Sequence, residues 1–136
     1  MLSTHFQPGA ASLLSDSPDQ RWAVLFEDEG SAGYFYALDK RIGEADEAIV
    51  DGVLIYNVQQ APERQMLASV QWSRDGQQAV LYIDGSAQAL FDFAAGRGYC
   101  RSDFPNFLDD SGGGWNRKTH EWSDAVFNAF ETALVN

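Results

Sequence analysis

One cysteine stands in this chain, and two arginines flank it: Gly96-Arg97-Gly98-Tyr99-Cys100-Arg101. Neighbouring positive charge favours a thiolate, the nucleophilic form of cysteine. His120 is the only histidine downstream and is the candidate base for such a nucleophile. Against this stands the commonest fate of a lone cysteine, which is to be a small buried hydrophobe. Neither a nucleophile elbow nor a Cys-Gly-x-Cys protease signature accompanies it. Arg97 and Arg101 have the fork geometry to grip a carboxylate or phosphate. Gly-Arg-Gly matches no phosphate-loop pattern, however, and the chain offers the arginines many acids of its own. Arg97, Cys100, Arg101, Trp115 and His120 therefore make up a candidate small-molecule or enzyme site, weighed against a purely structural reading.

Acidic residues form the second constellation. Residues 27–51 hold eight acids and two bases, a net of −6. Glu27, Asp28 and Glu29 lead this group, and Glu44, Asp46, Glu47 and Asp51 follow. A calcium loop needs acids at alternate positions, a central glycine and a terminal glutamate, and Glu44-Ala45-Asp46-Glu47-Ala48 lacks that register. A solvated acidic face is the expectation. Zinc is unsupported, because His5, His120 and Cys100 stand far apart with no paired spacing. No metal and no cofactor is expected.

These residues must be positioned by a fold, and hydropathy patterning predicts one. Residues 1–20 read as an irregular arm, with one short strand near Ala11–Ser15. Trp22–Asp28 is apolar on both faces and reads as an interior strand. It pairs through the Glu29–Gly33 turn with an aromatic strand over Tyr34–Asp39. Ile49–Val58 is the third strand, with Gly52 as an expected bulge or close-packing point. Residues 66–93 alternate strictly around Asp75-Gly76 and Asp84-Gly85, two expected type I′ turns, and predict a three-stranded meander. Residues 94–118 lack periodicity and read as a long aromatic and glycine-rich loop, loose at Asp109–Gly114. Trp122, Val126, Phe130 and Leu134 recur at helical spacing and predict a helix over 119–134, capped by Thr119 or Ser123. The expected fold is α+β in one domain: a single twisted antiparallel sheet of about six strands, with the C-terminal helix on one face.

Composition bounds the function. Nine basic and twenty acidic residues give a formal net charge of −11 in 136 residues. Nucleic-acid binding needs a basic stripe, and an anionic membrane surface needs the same, so both are excluded as partners. No apolar stretch reaches transmembrane length and no leader pattern opens the chain, so a cytoplasmic location is expected. A four-bladed propeller does not fit in this length, although Trp72-Ser73-Arg74-Asp75-Gly76 resembles part of a blade.

The segments Trp22–Asp28, Gly33–Asp39, Ile55–Val58 and Phe91-Asp92-Phe93 … Gly98-Tyr99-Cys100-Arg101 resemble a bacterial family, domain of unknown function 2251. The resemblance covers about residues 20–108 and implies a small bacterial cytoplasmic protein; it supplies no catalytic residues. By analogy, small acidic bacterial proteins often act as inhibitors or immunity proteins against basic partners. Three readings follow. The first is a non-catalytic interaction module whose acidic rim (Glu27, Asp28, Glu29, Glu44, Asp46, Glu47) meets a basic protein. The second is a small-molecule binder or enzyme using the 96–120 region. The third is a homodimer formed through an exposed sheet face or edge, with Phe35, Tyr36 and Tyr56 as the candidates where uncovered.

Overall fold

The computed structural model describes residues 1–43, 48–102 and 115–135. The described residues form nine strands: β1 Leu2–Phe6, β2 Ala11–Asp16, β3 Trp22–Asp28, β4 Ala32–Asp39, β5 Ile49–Asn57, β6 Met66–Trp72, β7 Gln78–Ile83, β8 Ser86–Asp92 and β9 Arg97–Cys100. A 3₁₀ turn, Val58–Gln60, follows β5, and the helix α1 spans Asp124–Val135. All strand pairs are antiparallel and fall into two sheets, ordered β1-β6-β7-β8-β9 and β2-β3-β4-β5.

The fold is therefore α+β, but the single six-stranded sheet is replaced by sheets of five and four strands. The N-terminal arm makes the difference. It forms two strands, and the Gln7–Ala10 corner sends β1 into one sheet and β2 into the other. Alternation along each strand then fills one shared interior. Trp22, Val24 and Phe26 of β3 face Ala79, Leu81, Ala89 and Phe91 of β7 and β8 in one buried cluster. Ring contacts span the two sheets: Phe6 lies edge-on to Phe26 at 5.2 Å, and Phe35 stacks on Phe91 at 5.2 Å.

The predicted meander is present as β6, β7 and β8. A register slip between Leu81 and Tyr82 pairs Tyr82 with Ala87 and skips Gln88. That extra residue turns Ala87 from the sheet interior, where alternation places it, to the helix side. On this outer face Val80, Leu90 and Ala87 meet Phe130, with Trp122, Val126, Phe127 and Leu134 around it. The predicted helical stripe is thus the one buried. The helix begins later than 119, because residues 116–121 lie beside β9 through parallel bridges, Arg97 to Asn116 and Cys100 to Glu121. Ser123 is the cap: its hydroxyl accepts from the Val126 amide at 3.2 Å.

Asp84 and Gly85 both have positive φ, at 52° and 82°, and close the predicted two-residue turn. At the other turn only Gly76 is left-handed, with φ 72°. A five-residue loop, Ser73–Gln77, replaces the expected type I′ turn there. The 94–118 loop is shortened by β9, and Asp109–Gly114 lies outside the described residues.

Candidate functional site

β5 is the strand that departs most from simple alternation. Its pairing with β4 skips Val50 and Ile55, while Gly52 pairs one-for-one with Tyr36, so the irregularities lie on either side of the expected one. Skipping Val50 leaves Val50 and Asp51 both buried. Asp51, expected on a solvated acidic face, is instead wholly inside the sandwich. Its carboxylate accepts from the Gly52 amide at 2.8 Å and lies 2.9 and 3.0 Å from Nε2 of His120, itself fully buried. A carboxylate accepts, which assigns Nε2 as the protonated ring nitrogen.

The segment that brings His120 inward is the strip beside β9. The Cys100 amide donates to the His120 carbonyl at 2.8 Å, and the Asn116 amide donates to the Gly96 carbonyl at 2.8 Å. Arg117 on the same strip is buried, and its Nε donates to the Val50 carbonyl at 2.6 Å. Gly98 makes room for the pair: a Cβ there would stand 2.7 Å from the Phe91 ring and 3.1 Å from Asp51 Oδ2. Asp51, His120 and Arg117 thus tie residues 115–121 to β5 across the gap between the two sheets. Burial on this scale is costly unless every charge is paired, and this cluster pairs by joining distant parts of the chain.

The five residues of the candidate catalytic or ligand site go to separate places. Cys100 is buried among the core rings, with its Sγ 3.4 Å from the Ser102 hydroxyl. Trp115 packs edge-on against Phe91 and Phe93. Arg101 lies over the Trp122 ring at 4.0 Å and donates through Nε to the Ala87 carbonyl, which fastens the approach to α1 onto β8. Arg97 lies over Tyr99 at 4.9 Å on the helix side of the sheet. Of the five, Trp115 lines a cleft, and Cys100 meets His120 through a backbone hydrogen bond. No group of three or more His, Cys, Asp or Glu among the described residues is arranged to hold a metal ion.

The acidic rim also divides. Asp28 is buried, not exposed: it accepts from the Gly9 amide at 2.7 Å, the Gly30 amide at 2.8 Å and the Tyr56 hydroxyl at 2.6 Å. It joins the β1–β2 corner, the β3–β4 turn and β5. Glu27 is half-buried and Glu29 exposed. Glu44, Asp46 and Glu47 lie outside the described residues. Of the aromatic residues considered for self-association, Phe35 is fully buried and Tyr56 is half-buried with its hydroxyl on Asp28.

Tyr36 remains on the outer face of the four-stranded sheet, half-buried, with its ring stacked on Tyr34 at 5.9 Å. Together with Glu27 and Glu29 these tyrosines border a recess of about 120 Å³. Burial raises the Tyr36 phenol above its ordinary range, and the nearby Glu27 carboxylate pushes it the same way.

Comparison with known proteins gives the wider setting. The family model described as "Uncharacterized protein conserved in bacteria (DUF2251)" matches residues 6–131. The chain belongs to this family. The match to domain of unknown function 2251 extends from β1 into α1, so the C-terminal helix is part of the shared unit. A relative from Haemophilus influenzae, itself described as an uncharacterized protein, is 39% identical over 88 residues, 63% of this chain. The matched stretch spans 53% of that relative's length. No solved structure matches the chain. No helix among the described residues is long and apolar enough to cross a membrane.

Proposed function

We propose that the protein is a non-catalytic interaction module that docks a basic protein against the Glu27/Glu29 end of its four-stranded sheet. The observation that carries the reading is the tyrosine–carboxylate recess. Two stacked phenol rings beside two carboxylates suit an arginine or lysine side chain, which gains both ring-face attraction and charge pairing there. A chain with a net charge of −11 adds long-range attraction that speeds encounter and weakens with salt. Asp28, Asp51, Arg117 and His120, buried inside the sandwich, are occupied with holding it together, which favours this surface as the candidate for function.

Titration with hexa-arginine amide, followed by backbone amide shifts, tests the reading. Shifts should centre on residues 27–36 and shrink between low and high salt. The pair E27Q/E29Q should weaken the peptide at least fivefold, while the charge-matched pair D124N/E131Q on α1 should leave it near the parent affinity. Equal weakening by both pairs would reduce the effect to net charge and overturn the assignment.

A further inference from the structure

At the other end of the β3–β4 hairpin, about 20 Å along the strands from Glu27, lies a cleft of about 530 Å³. Its size falls within the usual span of small-ligand sites, roughly 300–1,000 Å³. Its chemistry is opposite to that of the acidic rim. Arg21 and Arg41 both lie over the Trp22 ring, at 4.6 and 5.5 Å. Arg41 commits Nε and Nη2 to the two oxygens of Asp39, at 3.0 and 2.8 Å. The carboxylate of Asp39 is thereby neutralised, and the Arg41 guanidinium beside it holds it below the ordinary carboxylate range. Asp19, on the loop before Arg21, accepts from the Arg21 amide and the Ser17 hydroxyl. The Arg21 guanidinium itself makes no ion pair with a described residue and stands over the indole with its donors uncommitted.

Three aromatic residues, Trp22, Phe93 and Trp115, contribute to the lining. Trp22 stacks on Phe93 at 4.8 Å, and Phe93 meets Trp115 edge-on at 5.6 Å. Trp22 is 6% exposed, and its indole Nε1 has no hydrogen-bond partner. An unpaired buried donor is costly to the folded state. Gln77 adds a neutral amide to the lining.

We infer that this cleft binds a small aromatic carboxylate, its ring against the Trp22/Phe93/Trp115 wall and its carboxylate on Arg21. The pieces support one another: a guanidinium fork for the anion, aromatic residues along one side for the body, and Asp39 already paired with Arg41 so that it does not repel the ligand.

The test uses 2-naphthoate, its neutral analogue 2-naphthamide and inorganic phosphate, each titrated into the full chain while the four indole N–H resonances are followed. W22F assigns the Trp22 signal. Saturable displacement of that signal by 2-naphthoate is expected, with 2-naphthamide at least tenfold weaker and phosphate without effect at the same concentration. R21Q, at an exposed position, should weaken 2-naphthoate at least tenfold and keep the parent melting temperature, whereas R64Q on the far surface should change nothing. No saturation, equal binding of the amide or of phosphate, or unchanged affinity in R21Q would overturn the assignment.

Discussion

At the residue scale, charge counting hides a fully buried pair, Asp51 with His120. Asp51 belongs by sequence to a run of acids, yet it stands inside Ile49-Val50-Asp51-Gly52-Val53-Leu54, an apolar strand. A lone carboxylate within such a run is the signal that could have singled it out. His120 was legible as a special residue, but its partner was not, because 69 positions separate them. Removing one member of a buried pair leaves the other charged or polar group unpaired, at about 3–5 kcal/mol. H120A is therefore expected to lose about that much unfolding free energy, read by urea titration of tryptophan fluorescence. A loss below about 1 kcal/mol would show the pair to be dispensable. The arginines teach a similar lesson. Arg97 and Arg101 stand out because they flank Cys100, whereas Arg21 and Arg41 are brought together by the pairing of Trp22 with Asp39 at the open end of the predicted hairpin.

At the element scale, two hairpin loops share one design. Ser17 donates its hydroxyl to Asp19 at 2.6 Å and accepts from the Trp22 amide at 3.0 Å; Ser73 donates to Asp75 at 2.6 Å and accepts from the Gln78 amide at 2.9 Å. Both loops turn through a left-handed fourth residue, Gln20 at φ 64° and Gly76 at φ 72°. One joins β2 to β3 and the other β6 to β7, and they touch where Gly76 faces Pro18. The Ser-x-Asp spacing was visible in both places, but the attention drawn by Asp-Gly favoured a two-residue turn at one and left the other inside an irregular arm. The strands themselves were well marked by alternation, as was the helix by its stripe. In the loops, each carboxylate is lowered by its serine first and by a backbone amide next, and Asp39 and Asp84 are also lowered. A carboxylate lowered in the folded state contributes stability above its unfolded value of about 3.9, and that contribution is lost as pH falls through the folded value. Stability should thus hold from neutrality to about pH 5 and fall steeply below pH 4. S73A should cost about 1 kcal/mol at neutral pH and flatten the acid limb, measured by melting temperature from pH 2.5 to 7. An unaltered acid limb in S73A would remove Asp75 from the account.

At the scale of the whole molecule, the antiparallel meander and the helix cover were legible, and the division into two sheets was not. Which strand joins which sheet is decided by pairings such as β1 with β6, some sixty residues apart, and such pairings leave no local mark in the chain. The acidic composition resolves into two ends: carboxylates and tyrosines at the β3–β4 turn, and guanidiniums over indole at the opposite end. A fold built from such distant pairings has high contact order, and refolding in the millisecond-to-second range is expected. The closing strip should consolidate late, so H120A should speed unfolding and leave the refolding rate within about twofold, measured by stopped-flow fluorescence. A matching drop in refolding rate would place the closure in the folding nucleus.

The strip beside β9 has a further consequence for how the chain is made. Translation delivers all nine strands before it delivers Trp115, Arg117 and His120. Until the strip docks, β9 presents unpaired amides and carbonyls along its outer edge, and Asp51 has no histidine to meet. The nascent chain therefore passes through an interval in which its last strand is open to pairing with a neighbouring copy. Refolding at raised protein concentration should therefore favour association through β9, and early docking of the strip should suppress it.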